Sequence, residues 1–243
     1  MFYLDPLYIV MIAPALLLAI WAQVKVKSAF GKYSRVGNSG QMSGAEAAAE
    51  MLRGSGVRVV ESPEMAQRIG NAVAIVPVRG FLSDHYDPRT RVLRLSPDVY
   101  QGRSLASVGV ACHEAGHALH HAQGYAALEL RNLMVPVASF GSWAAFPLIF
   151  LGFIIHAAGL ILLGIAMFSA IVAFQVVTLP VEFNASSRAK AALYELGIIR
   201  MPAEKQGVAR VLNDAALTYV AAVISSIMTL LYYIMIFTGA SRD

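Results

Sequence analysis

Ala111-Cys112-His113-Glu114-Ala115-Gly116-His117-Ala118-Leu119-His120 is the stretch around which the chain is organised. Within it, His113-Glu114-x-x-His117 sets two imidazoles four residues apart, with a carboxylate beside the first. On an α-helix, positions i and i+4 share a face and stand about 6 Å apart along the axis. Both imidazoles can then reach one Zn²⁺ at about 2.0–2.1 Å. Glu114 points about 100° away around the helix, too far to ligate on that side but close to a metal-held water. Zinc lowers the pKa of such a water to about 7, and a neighbouring carboxylate takes its proton as the hydroxide attacks a carbonyl. The spacing predicts zinc at His113 and His117 and Glu114 as general base. The competing reading is a helix of half-buried spectator histidines, and the rest of the chain decides between them.

Composition places that helix in a membrane protein. Of the 243 residues, 57% are hydrophobic and only 14% charged, and mean hydropathy is +0.59, whereas soluble domains carry about 25% charge. The single Cys112 excludes an intrachain disulfide. It lies about 100° around the helix from His113, as a small buried hydrophobe would. Net charge is +4, without the interleaved basic and aromatic residues of a nucleic-acid surface, so no nucleic-acid partner is expected.

Leu7 to Val24 is an apolar run long enough to span a bilayer, preceded by Asp5 and followed by Lys25 and Lys27. A cleaved signal peptide has the reverse charge order, so residues 1–24 read as a retained anchor with its N-terminus outside. Residues 25–132 read as a folded polar domain carrying the zinc helix. Ser43-Gly44-Ala45-Glu46 is a capping box for a short helix closed by Gly54. Val57–Glu61 and Ala72–Val78 are strand-like, Pro63–Ile69 a helical turn, and Ser83–Thr90 turn-rich. Arg91–Ser96 alternates polar and apolar, as a strand with one wet face does. The motif helix is expected from about Ser104 to Gln123, with Gly124 as its stop.

Leu133 to Pro180 holds no Lys, Arg, Asp or Glu and is too long for one crossing, so residues 133–180 are expected to form two spans joined near Gly152–Gly159. His156, within that turn, reads as a solvated loop residue. Residues 181–214 form a second polar segment that starts helical, with Glu182, Ser186 and Ala189 on one face. Gly197 interrupts it and Pro202 starts an amphipathic connector. Residues 215–243 are a fourth span and a tail ending in Arg242 and Asp243. Of the 19 Lys and Arg, 13 fall in 25–132 and five in 181–214. Two spans separate these segments, so they share a face, and the basic excess makes that face cytoplasmic.

A catalytic zinc takes three protein ligands and keeps one open position. The third must lie on the same membrane face as His113 and His117. Glu182, where the third span emerges, meets that condition; His120, His121 and Glu129 are the other candidates. His120 lies about 4.5 Å further along the helix than His117, so one ion cannot easily take all three imidazoles.

The chain resembles the bacterial membrane-bound neutral zinc metallopeptidases known as the YugP-like family. The resemblance rests on Asp84-His85-Tyr86-Asp87-Pro88, Val92–Ser96, His113–Leu119, Leu179–Ser186 and Leu217–Ala222. It is more distantly similar to the HtpX and CAAX-prenyl-protease gluzincins, whose third ligand is the Glu of a downstream Glu-x-x-x-Asp. That likeness implies Glu182 as ligand, with Ser186 at the Asp position, where it can hydrogen-bond a ligand but adds no charge. It also implies an edge strand that pairs with an extended substrate, for which Arg91, Val92, Leu93, Arg94, Leu95 and Ser96 are the candidates. Asp84, His85 and Tyr86 precede that strand, placed either to stabilise an oxyanion or simply to make a hairpin turn. Arg188 and Tyr219 are further polar candidates.

The expected fold is a mainly α membrane protein with about four transmembrane helices. The resemblance adds a gluzincin-like α+β catalytic domain, a short sheet plus the metal-binding helix. The expected function is a zinc endopeptidase holding one Zn²⁺ per chain. It would sit in the bacterial inner membrane as a multi-pass protein with its cleft facing the cytoplasm, acting on protein or peptide substrates, membrane proteins among them. Two alternatives stand beside it: an intramembrane, site-2-type metalloprotease, and a non-catalytic scaffold with a structural zinc. The first would place the motif in a wholly apolar span with an Asp in another; the second would close the fourth position with another His or Cys.

Overall fold

The computed structural model describes residues 6–80 and 83–240; Asp5, Arg242 and Asp243 lie outside the described residues. In chain order the elements are α1 (Pro6–Tyr33), α2 (Gly44–Gly54), β1 (Arg58–Val60), α3 (Pro63–Ile69), β2 (Ala72–Pro77), β3 (His85–Asp87), β4 (Val92–Leu95), α4 (Pro97–Tyr100), α5 (Leu105–Ala122), α6 (Ala126–Ile154), α7 (Ala158–Glu195) and α8 (Pro202–Ala240). The chain divides into two compact units. One holds residues up to Gln23, Glu129–Pro180 and those from Leu217 onward; the other holds Val24–Leu128 and Val181–Ala216.

The first unit is helical. α1, α6, α7 and α8 are each long and apolar enough to cross a membrane. Their outward faces carry large apolar side chains, with Leu133 and Trp143 each 76% exposed. Lipid accepts such surface where water would not. α6 and α7 join through a tight turn in which His156 takes a left-handed backbone, φ 54°.

Two helices run on through the polar segments. α7 continues unbroken past Pro180 to Glu195, because the missing proline N–H costs one backbone bond that a long, packed helix tolerates. α8 likewise carries the polar start at Pro202 and the apolar stretch as one helix. The break between them falls at Leu196–Met201, where Gly197 sits at φ 66°.

The second unit is built on a four-stranded sheet in the order β1-β2-β4-β3. β1, β2 and β4 are parallel, and β3 returns antiparallel to β4, pairing His85 with Arg94 and Asp87 with Val92. This corrects two expectations. The turn-rich stretch 83–90 contains a strand, so His85 and Tyr86 are strand residues. Arg91–Ser96 is not an edge, because β4 is paired on one side to β2 and on the other to β3. Val92, Leu93 and Leu95 are consequently all buried, and only Arg94 emerges, bound to Asp87 at 3.0 Å. Asp87 is partly buried, yet bonds from Thr90, Arg94 and the Arg89 N–H hold its carboxyl down to about 2.

α2 begins at the capping box, in which the Ser43 hydroxyl accepts from the Glu46 N–H and the Glu46 carboxylate accepts from the Ser43 N–H. α5 begins at Ser104, whose hydroxyl accepts from the Ser107 N–H, and ends at Gln123, followed by Gly124 at φ 61°. Leu52, Leu93, Leu95, Leu105, Val108, Leu193, Ile198 and Leu212 form the core between sheet and helices.

Gly44 is held where the chain elements come closest. Its N–H donates to Gly102 at 3.0 Å, and a Cβ would overlap the Val99 carbonyl and stand 2.9 Å from that of Ser107. Alanine is the better helix former by about 1 kcal/mol, but backbone cannot yield as a side-chain tip does. Gly44→Ala is therefore expected to destabilise the protein by about 1–3 kcal/mol, read as a lower Tm in detergent. An unchanged Tm would contradict this packing.

Candidate metal centre

α5 and the last turns of α7 meet at a close backbone contact. Gly116 faces Ala185, where a Cβ would come within 3.0 Å of the Ala185 carbonyl and 3.1 Å of its Cα. The missing side chain lets α7 approach until Glu182, one turn before Ala185, reaches the metal face of α5. His113 Nε2 stands 3.3 Å and His117 Nε2 3.5 Å from Glu182 Oε2. The ligand atoms of these three residues all lie within 4.8 Å of one another.

These distances fit zinc. Donors sharing one tetrahedral ion at about 2.0–2.1 Å stand about 3.3 Å apart, close to both separations. Glu182 is 2% exposed, and its Oε2 is buried with no hydrogen-bond partner. A carboxylate in that state is costly unless a cation completes it. The donor set of two imidazoles and one carboxylate suits zinc.

The surrounding side chains fix these donors. The Ser186 hydroxyl lies 3.1 Å from His113 Nδ1, leaving Nε2 turned toward Glu182. His120 is fully buried and is not a ligand: its Nε2 lies 2.8 Å from Asn184 Oδ1 and its ring stacks on Tyr125 at 4.5 Å. The same Oδ1 accepts from Arg188 Nε at 2.8 Å, while Arg188 Nη1 donates to Gln123. An amide oxygen only accepts, so His120 carries its proton on Nε2. Burial, with His117 and Arg188 adding to it, lowers His120 to about 4 and keeps it neutral. Asn184 was not singled out in the sequence, although its place between Glu182 and Arg188 on one helix is the signal that points to it.

Glu114 is largely enclosed. Burial raises its carboxyl above the usual range, opposed by His113 and His117 and reinforced by Glu182 and Asp84. Asp84 itself accepts from the Ser96 N–H at 2.7 Å and from its hydroxyl, tying the start of β3 to the end of β4. His85 is exposed, with Nδ1 2.8 Å from the Ser83 carbonyl. The Tyr86 hydroxyl meets His121 Nδ1 at 2.8 Å, further along α5. Cys112 is buried in the core, and burial pushes its thiol far above the ordinary value. Glu129 and Tyr219 belong to the other unit. A cavity of about 950 Å³ between the end of α1 and the α4–α5 junction contains none of the three ligand candidates.

The family described as "Putative neutral zinc metallopeptidase" matches residues 8–238. The chain belongs to this family. Over 238 residues, covering 98% of this chain and 99% of the other, it is 50% identical to a protein of Bacillus subtilis (strain 168) named "Putative membrane protease YugP". No solved structure matches the chain. Membership of a zinc metallopeptidase family implies Zn²⁺, and His113, His117 and Glu182 are the residues that fit it.

Orienting bonds of this kind are worth about 10–100-fold in metal affinity. Ser186→Ala, which frees His113 Nδ1, is expected to weaken zinc binding by that factor in a chelator competition while leaving the far-ultraviolet spectrum unchanged. Wild-type affinity in this variant would show that Ser186 does not orient His113.

Proposed function

We propose that this metallopeptidase is a membrane-anchored zinc endopeptidase in which Glu114 is the general base. The observation that carries the proposal is the convergence of His113, His117 and Glu182 at tetrahedral spacing, with the partly exposed carboxylate of Glu114 following His113 on the same helix. Zinc at this site would polarise a peptide carbonyl and acidify a water. Glu182 would offset part of the metal charge, and His113 would be held by Ser186. Glu114 would take a proton from the attacking water and return it to the departing amide nitrogen, so that one peptide and one water become an acid and an amine. The outer edge of β3, which has no strand partner among the described residues, is the backbone left to align an extended substrate. We place the gluzincin type, the bacterial cytoplasmic membrane, a cytoplasmic-facing cleft and protein or peptide substrates in the same proposal, on the charge distribution and family likeness given above.

The intramembrane reading is disfavoured because α5 is not among the four helices suited to crossing a membrane. A purely structural zinc would call for a fourth protein ligand, and the cluster among the described residues has three.

Metal content and peptide cleavage, measured together, test this. Glu114→Gln should retain one zinc per chain and lose cleavage by at least about 10²-fold, whereas Glu182→Ala should lose both metal and activity. Cleavage by Glu114→Gln at the wild-type rate would end the protease mechanism. Tight zinc in Glu182→Ala would move the third ligand elsewhere.

A further inference from the structure

One end of the sheet carries a cluster that the zinc chemistry does not use. Arg91 leads from the β3–β4 turn into β4 with φ 56°, a left-handed backbone that a bulky residue adopts only at some cost. Its Nη1 is buried and has no hydrogen-bond partner. Asp87, the acid on the neighbouring strand, is committed to Thr90 at 2.7 Å and Arg94 at 3.0 Å, so it does not neutralise Arg91. The side chain lines a cavity of about 130 Å³ together with Asn71, Tyr86, Ala118 and His121. Tyr86 and His121 are joined at 2.8 Å. Burial pushes the Tyr86 phenol far above its usual value, with Arg91 opposing, so it stays a neutral hydroxyl.

Guanidinium does not lose its proton; Arg91 is half-buried, and its buried Nη1 lacks an acceptor, which an anion would supply together with the opposite charge. The acceptor that matches its planar fork is a pair of oxygens on one carbon. A cavity of about 130 Å³ has room for a few water volumes of about 30 Å³ each, enough for a carboxylate and too little for a nucleotide. Its position on the metal helix is informative. Ala118 and Ala122, which both line it, follow Glu114 at i+4 and i+8. The cavity therefore lies about one to two turns, or roughly 6–12 Å, along that face from the proposed base. An extended peptide spans about 3.3–3.6 Å per residue, which places an acid two or three residues from the bond to be cut.

We propose that Arg91, with Tyr86 and His121, forms a carboxylate-binding subsite that selects peptides carrying an acid two or three residues from the cleaved bond. The subsite's role in selection rests on the endopeptidase reading; its affinity for a carboxylate does not. Binding is therefore measured on full-length, zinc-loaded Glu114→Gln protein in detergent, with three labelled versions of one peptide followed by fluorescence anisotropy. One ends in a free carboxylate, one is amidated with an internal Glu, and one is amidated with Gln at that position. At least one acidic version is expected to bind about tenfold tighter than the neutral one, and adding Arg91→Gln should abolish the difference while leaving the neutral peptide unchanged. Whichever acidic version gains identifies the carboxylate as terminal or side-chain. Equal binding of all three, or a preference that survives Arg91→Gln, overturns the proposal. Arg91→Lys keeps the charge without the fork and should lose most of the preference, which keeps the test decisive if Arg91→Gln does not fold. If Glu114→Gln still cleaves the peptides, the general-base mechanism fails. The subsite is then decided by acetate against chloride at matched ionic strength, expected to raise the Tm of the parent and not of Arg91→Gln; no such difference overturns it.

Discussion

The structure depends on a buried carboxylate that its own protein groups do not satisfy. Glu182 turns Oε2 toward two imidazole nitrogens without a hydrogen bond of acceptable geometry to either. Left so, it would cost several kcal/mol. It is tolerated when a cation joins the three donors, and the metal's binding energy then becomes part of the folding energy. The neighbouring features serve this arrangement. Gly116 removes the atom that would hold α7 off, Ser186 fixes His113, and Asn184 gathers His120 and Arg188 on one oxygen.

Delivering Glu182 requires a register as well as a contact. The residue sits on α7, the same unbroken helix that carries an apolar run long enough to cross a membrane. Each residue along a helix advances 1.5 Å and rotates about 100°, so one residue inserted between Glu182 and Ala185 would turn the carboxylate away from α5. A rigid helix holds such a position better than a loop.

What could be read without the structure follows from the range of the interaction that determines it. His113 and His117 on one face follow from helix spacing alone, as do the capping box at Ser43 and the α5 stop at Gly124. Four apolar runs follow from solvent preference. Strand order does not. Arg91–Ser96 has the alternation of an edge strand, yet it is enclosed because β3 folds back onto it, and no local pattern reports which strand becomes the edge. Pro180 resembles a boundary locally and is overridden by the packing of a long helix. Tyr86 with His121, and Asn184 with His120, join residues far apart in the chain, so neither pair leaves a periodic trace. Arg91 reads as the wet face of a strand, and only the folded backbone reveals its left-handed φ and its buried, unpartnered Nη1.

The motif helix is enclosed by protein. α5 buries Val108, Ala111, Cys112, Ala115, Gly116, Ala118 and Leu119, together with His117 and His120, so it is enclosed on nearly every side. Eighteen residues also make about 27 Å, close to a bilayer's hydrocarbon thickness. Length therefore fits both a core helix and an intramembrane one, but Glu114 and the four histidines leave α5 less apolar than the four candidate spans. The difference lies in what covers each face: the sheet-side core on one, the Glu182–Ala189 stretch of α7 on the other. A lipid-facing helix would need an uncovered apolar stripe, and α5 has its small residues, Gly116 above all, turned toward protein backbone. That enclosure leaves Glu182 2% exposed and Glu114 only partly exposed, so the carboxylate proposed as ligand is the one most withdrawn from water.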